Sequence, residues 1–508
     1  MSSPSHTKTP PRIVTTPSIK QSSVRAYYPV TPSSQPTPLC AVFLAQFNVH
    51  TGYELKWSKA LDDVSLKGVE YKALPSGLHA VEKDVISFVQ PKTPGGDELL
   101  YGVSVFRQNK DTARLDDRET VKMFSLGVLM DVSKHKTSMS WKPSSYSCGL
   151  EYIEQLSGML ASWDEEDGMG VFEKFFEDNS KAEYLFSPRT PKGSSSKKSQ
   201  SQKRHHYLLK SDALLRDLGP LVFTVWKASI LRKRILIFDA GSVEESCALS
   251  YCLSILSTIP HEILTLLPDE TKPLHYLQPL YSLGVNDIDW LSKVPFTGFT
   301  GSSTDEILMY KKQLYDIAVV LGKNEPPKVL PSEALAPGAT NIEPLKATQR
   351  DLKRFNIIVR EFELQKDPSE ISPSWWVDVT ERITFRQMAW SGLYWWASAG
   401  EKERLEDEED AEGLTEVADV NADDVERALY IVGYFQSITR RIFRGVMDVI
   451  SNHEGGEDDI ITFEFAEVNE MGLDPYSNED LRFVVDLVKC WFGRDAKVGS
   501  SLANLCCM

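Results

Sequence analysis

"SDALLRDLGPLVFTVWKASILRKRILIFDAGSVEESCALSYCLSILSTIP", residues 211–260, is the stretch on which the fold turns. It opens as an amphipathic helix and passes through a short apolar run, 235–238, that predicts a buried strand. A second helix is predicted from about 243 to 258. Helix, strand and helix in that order give an α/β unit. Cys247 and Cys252 fall on the second helix, where packing explains them better than redox chemistry. The apolar segment at 219–240 does not read as a membrane span, because Lys227, Arg232, Lys233 and Arg234 interrupt it.

The unit extends over 207–322 and ends on "FTGFTGSSTDEILMYKKQLYDIAVVL", residues 296–321. Here Ser303 is the expected N-cap and Glu306 its N3 partner in a capping box, starting a helical turn that carries Ile307, Leu308 and Tyr310. "LYDIAVVL" then resumes as a strand. Asp305 and Glu306 thus have structural work at a helix N-terminus, and an acid–base role is unnecessary.

On the N-terminal side, residues 1–38 hold eight prolines and fourteen Ser or Thr, a composition expected to stay disordered. From 39 the text turns β-rich: two runs flank Thr51-Gly52 as a hairpin, and "DVISFVQ", "ELLYGVSVFRQ" and "VKMFSLGVLM" predict three more strands. Helical spacing follows in Leu150, Ile153, Leu156 and Leu160, then in "MGVFEKFFED". Residues 39–178 therefore read as a small antiparallel sheet followed by helices. A Ser/Lys-rich linker covers 179–206. Ser187 and Thr190 each precede a proline there, and phosphate on either would place negative charge beside six cations. A Pro-rich linker at 323–345 leads into a mostly helical third part, 346–495, with Trp375, Trp376, Trp395 and Trp396 as core anchors, and a tail at 496–508.

Composition narrows the classes. At 508 residues, with roughly 150 per domain as a guide, two or three domains are expected. The 42% hydrophobic and 25% charged fractions are those of a soluble globular protein. The formal charge is −16, but the insertion at 401–426 alone carries thirteen acidic and two basic residues, so the remainder sits near −5. A solvated surface explains that run, and no aromatic-interleaved basic patch points to nucleic acid. Residues 1–23 contain no apolar signal core, so a cytoplasmic, reducing setting is expected and the seven cysteines are read as thiols. They lack the spacing of a zinc site, and no metal or cofactor is expected. Phosphate-cradling, dinucleotide-binding, metalloprotease and nucleophile-elbow motifs are all missing.

The order "RILIFD", helix, "LQPLYSLGVNDIDWL", "FTGFTGSSTDEI" and "LYDIAV" resembles the central module of DENN-domain proteins. "AVFLAQFNVHTGYELKWS" with "LKGVEYKALPSGLHAVEKDVISF" is similar to the longin-type module of the LCHN-like branch. The resemblance covers about 39–322 and, with less specificity, the helical part. It implies a tripartite α/β (α+β) protein with longin-like, central DENN and helical modules. It further implies a guanine nucleotide exchange factor for a Rab-family GTPase, which displaces switch I and does no covalent chemistry. A non-catalytic adaptor at a membrane surface and a GTPase-activating protein, the latter needing an arginine in trans, are the alternatives. Ser303, Thr304, Asp305 and Asp239 are the residues expected to touch the GTPase. The tail carries adjacent Cys506 and Cys507, read as an inert tail or as lipidation sites; a prenylation box fails because Leu505 stands where it would need cysteine. Arg440, Arg441 and Arg444 form a basic helix face, read as solvated or as drawn to a membrane.

Overall fold

The structure is a computed structural model. It describes residues 39–109, 122–131, 149–180, 205–268, 275–293, 298–322, 325–335, 342–362, 373–383 and 424–499, apart from a few positions within 77–80, 94–97, 323–324 and 454–458. Trp395, Trp396 and the acidic insertion up to 423 lie outside the described residues.

Strands β1 (Leu39–Asn48) and β2 (Gly52–Ala60) form the expected hairpin. Gly52 closes it at φ 83, a left-handed conformation that glycine adopts without steric cost. Strands β3 (Lys83–Pro91), β4 (Leu99–Asn109) and β5 (Lys122–Met130) complete an antiparallel set in the order β3-β4-β5-β1-β2. Five residues of helix α1 (Val69–Ala73) cross this set. Helices α2 (Ile153–Ser162) and α3 (Gly170–Ser180) pack on it through Leu156, Leu160, Phe172 and Phe176.

The strand predicted at 235–238 is β6 (Ile235–Phe238), buried at every position. Before it come α4 (Ser211–Leu218) and α5 (Leu221–Ile230), and after it α6 (Val243–Leu256) and α7 (His261–Leu264). Strand β7 (Gln278–Ser282), helix α8 (Ile288–Leu291), strand β8 (Phe299–Ser303), helix α9 (Glu306–Met309) and strands β9 (Ile317–Val320) and β10 (Lys328–Pro331) follow. β9, β6, β8 and β7 are parallel, and β10 lies antiparallel on the outer edge.

The two strand sets make one ten-stranded sheet, β10-β9-β6-β8-β7-β3-β4-β5-β1-β2. At the seam, β3 and β7 share a single paired position, Phe88 with Tyr281. Side chains supply what the ladder lacks. Ser87 and Tyr207 hydroxyls meet at 2.7 Å, and Cys247 Sγ donates to the Ser87 carbonyl at 3.4 Å. Helix α6, buried on nearly all sides, lies over β7, β8 and β3 together. Burial pushes the Cys247 thiol up to about 12, so it packs as a small hydrophobe.

The C-terminal part is helical as expected: α10 (Gln349–Glu361), α11 (Trp375–Asp378), α12 (Asp424–Asn452), α13 (Phe465–Glu470) and α14 (Asn478–Phe492), with a short parallel pair, β11 (Ile461–Phe463) and β12 (Ala496–Val498). Trp376 is buried against Phe355, as an anchor should be. Among the described residues no helix is long and apolar enough to cross a membrane.

Lys227, which the sequence offers only as an interruption of an apolar run, is a buried cation of α5. Its ammonium donates to Asp351 at 2.7 Å and to Asp480 at 2.6 Å. Each carboxylate is the N3 residue of a capped helix: Thr348 accepts from the Asp351 N–H on α10, and Ser477 from the Asp480 N–H on α14. Burial opposes the charge on Lys227, yet the two carboxylates outweigh it and hold the ammonium pKa above its ordinary value. Lys227→Met leaves two buried carboxylates facing each other, and denaturant titration is expected to show a loss on the order of 3–5 kcal/mol. The triple variant that adds Asp351→Asn and Asp480→Asn is expected to recover much of it, because none of the three charges is then left without its partner.

His206 also departs from its expected setting in the linker. Its Nδ1 accepts the Leu208 N–H at 3.2 Å, and its ring stands edge-on to Tyr251 at 5.4 Å. Burial lowers its pKa to about 4. Burial lowers His275 to about 4 as well. A histidine neutral in the folded state and protonated in the unfolded one withdraws stability as pH falls from its ordinary value towards 4. Stability is therefore expected to drop by on the order of 2 kcal/mol from His206 across that window. His206→Gln should flatten this part of a pH series of thermal midpoints.

Candidate functional site

Parallel strands end where ligands and partners of α/β sheets are received, and here the C-terminal ends of β6, β7 and β8 lie side by side. Phe238 of β6 pairs with Ser303 of β8, so the next residues, Asp239 and Thr304, stand at neighbouring positions of one sheet end. Asp239 is exposed and holds a left-handed φ of 59, unusual outside glycine. Thr304 is exposed, whereas Ser303 is buried as the last residue of its strand.

The capping box expected from Ser303 and Glu306 does not form. Because Ser303 belongs to β8, Asp305 becomes the N-cap of α9, and no side-chain cap hydrogen bond is made there. Ser303 Oγ instead accepts the Asp305 N–H at 3.1 Å. The Asp305 carboxylate is drawn sideways to the turn after β7, where it accepts the Val285 N–H at 2.9 Å. Asp305 is thus a tie between two strand ends.

The same turn is held from a third side. Asp287 is buried, and one of its oxygens accepts the Gly284 N–H at 2.9 Å. The other takes the ammonium of Lys72, on α1 of the first sheet. Lys72 also lies over the Trp290 ring at 5.6 Å, a cation–π contact. Next to Lys72, the Tyr71 ring packs on Tyr53 of β2 at 5.3 Å, and Tyr53 packs on Phe47 at 5.0 Å. Burial, then the Asp305 carboxylate, then Tyr71 raise the Tyr53 phenol above its ordinary value. Asp305 therefore lies within electrostatic reach of the first sheet.

These segments carry large side chains that stay in solvent. Tyr71 is 39% exposed, Val285 41%, and Ile307 and Tyr310 55% each. Water-facing aromatic and aliphatic groups concentrated on segments tied together from both strand sets mark a surface suited to a protein partner. Tyr53, Tyr71, Lys72, Asp287 and Val285 were not among the expected site residues. The segment "LKGVEYKALPSG" marked the first-sheet part only through the resemblance.

The strand–loop–helix step from β6 to α6 has the shape of an anion site. Its N–H groups are already taken. Asp84 of β3 accepts from Val243 at 3.0 Å and Glu244 at 3.1 Å, and Ser242 and Glu245 form a capping box. A groove of about 330 Å³ lies near the opposite ends of the strands, against α5 and α14. It is lined by Lys233, Lys346 and Arg482 together with Asp316, Glu333 and Glu479, so it offers no single charge sign to a ligand.

The remaining expectations divide. Arg440 is paired with Glu262, and Arg441 Nε donates to the Glu470 carbonyl at 2.7 Å, so this basic face is partly used within the protein. Ser187, Thr190, Cys506 and Cys507 lie outside the described residues.

Residues 42–330 match the family profile described as DENN domain-containing protein 11. Residues 380–459 and 451–508 match a domain of unknown function, DUF4484. A Saccharomyces cerevisiae relative titled "Uncharacterized protein ANR2" is 29% identical over 498 residues, covering 92% of this chain and 94% of the relative. DENN domain-containing protein 11 of Xenopus laevis is 24% identical over 484 residues, 94% of this chain and 88% of its own length. Its counterpart in Rattus norvegicus is 26% identical over 290 residues, 55% and 56% of the two chains. A profile that spans both strand sets and the seam between them, over more than half of the chain, places this protein in the DENN domain family, in the group described as DENN domain-containing protein 11.

Proposed function

We propose that the protein is a guanine nucleotide exchange factor for a Rab-family GTPase, and that the GTPase docks over the end of β6, β7 and β8 and the adjoining α1. The observation that carries this reading is the exposed set Tyr71, Val285, Ile307 and Tyr310, arranged around Asp305 and contributed by both strand sets. A partner seated there buries apolar side chains at the centre and meets Asp239, Asp305 and Glu306 with its cations.

Exchange on such a surface needs no covalent step. The factor binds the nucleotide-free GTPase more tightly than the loaded one, and that difference lowers the barrier to GDP release. Every interaction the face makes with a displaced switch segment, and not with the segment in its nucleotide-holding position, contributes to the difference. Thr304 and Asp239 project beside each other at the sheet end and fit this contact. Within this reading, residues 39–178, 207–322 and 346–495 serve as the longin-like, central and helical modules.

Purified protein is expected to accelerate release of fluorescent GDP from at least one member of a Rab panel. A panel without acceleration would overturn the exchange reading, and stable binding without acceleration would favour the adaptor reading instead. On the responsive GTPase, Tyr71→Ala and Ile307→Ala are each expected to lower the second-order rate about tenfold, the scale of an interface anchor. Thr304→Lys should block docking by bulk, with thermal midpoints near that of the unaltered protein because the side chain is exposed.

A further inference from the structure

Resting on the exchange reading, we propose that Lys72 and Asp287 are positioning residues for the GTPase: their buried ion pair sets the distance between the part of the docking face on the first sheet and the part on the central sheet. The side chains of the pair are 9% and 4% exposed, so the docking partner does not need to touch either.

Within the strands the two sets are held by Ser87 with Tyr207 and by Asp84 with the first turn of α6, and Lys72 with Asp287 is the tie at the docking face. The strand ladder across the seam has one paired position, Phe88 with Tyr281, and it lies within β3 and β7, whereas α1 and the turn 284–287 lie outside the ladder. α1 is only five residues long, too short to be rigid by itself. Tyr71 faces outward and packs at a tilt against Tyr53, Val69 and Ala73 are buried in the core, and Lys72 reaches across to the turn. On the other side, the turn is clamped by its own carboxylate, from Asp287 to the Gly284 N–H, and by Asp305 to the Val285 N–H. Lys72 reaches the clamping carboxylate itself. A single ammonium thus joins the element that presents Tyr71 to the element that presents Val285 and, through Asp305, to α9 with Ile307. The Trp290 ring beneath the ammonium fixes its approach.

Loss of the pair is expected to act on docking and leave the chemistry of release intact. With the responsive GTPase, Lys72→Met and Asp287→Asn should each lower kcat/KM for GDP release by about tenfold, as misplacement of a contact surface by a fraction of its width does. The loss should sit in KM, with the maximal rate at saturating factor kept within about twofold. The double variant should be no worse than either single one, because the two substitutions remove one interaction. Asp316→Asn, which breaks the 2.8 Å pair with Arg234 at the opposite end of the parallel strands, is the control: it should lower the thermal midpoint and leave exchange unchanged. Unchanged exchange in both pair variants, additive losses, or an equal loss from Asp316→Asn would each overturn the positioning role while leaving the exchange reading standing. Absence of exchange by the unaltered protein on every GTPase would overturn the exchange reading and this proposal with it.

Discussion

One ammonium holds three helices to a common point. Lys227 lies on α5, at the heart of the central sheet's helical cover, and the helices that converge on it, α10 and α14, begin more than one hundred residues later in the chain. Each arrives N-terminus first. The positive end of the helix dipole and the N3 carboxylate are therefore presented together, and each carboxylate also accepts a main-chain N–H beside the lysine, Asp351 from Thr348 at 3.0 Å and Asp480 from Asp474 at 2.7 Å. Around this point α5 is fastened twice more: Trp226 Nε1 donates to the Leu256 carbonyl at 3.1 Å, and Trp491 Nε1 donates to the Ile230 carbonyl at 3.0 Å. The C-terminal helices α10 and α14 are in consequence held against the central sheet's helical cover through one buried charge.

The seam between the strand sets is solved by the same means. Antiparallel and parallel ladders meet with little main-chain pairing, and the join is made by polar side chains that reach across it, Ser87 to Tyr207, Lys72 to Asp287 and Asp84 to the first turn of α6. Tyr281 sits buried at the junction with φ 58 and packs edge-on to Tyr101 at 6.2 Å. Directional bonds suit such a place better than apolar packing alone, because they fix an orientation as well as a distance.

What the sequence disclosed and what it withheld follow one physical line. Buried strands and long amphipathic helices are local patterns, so β6, α6, the hairpin at Gly52 and the three strands after it stand where their residues place them, and α14 lies within the segment read as helical. The α/β class follows from the helix–strand–helix order at 211–260 alone. Interactions that join distant segments leave no local trace. Lys227 looks like a break in an apolar run until Asp351 and Asp480 are beside it. Ser303 and Glu306 have the spacing of a capping box, but strand pairing with Phe238 claimed Ser303 and the turn after β7 claimed Asp305. Asp239 and Thr304 were separately named, and only the register of β6 against β8 makes them neighbours. Ile307 is legible as an apolar residue of a short helical turn, whereas no local pattern marks Tyr71; that both face water is a fact of packing.

Asp84 has a consequence for how this fold can change. Nucleotide-binding α/β proteins keep the first turn of the helix after a central strand vacant for phosphate, whereas here that berth is filled by a carboxylate belonging to the neighbouring sheet. The protein carries its own surrogate for the anion, and the surrogate doubles as a pin between two halves of the molecule. A lineage that emptied the berth to admit a nucleotide would unfasten its own sheet in the same step. The first turn of α6 is thereby spent on holding the two strand sets together.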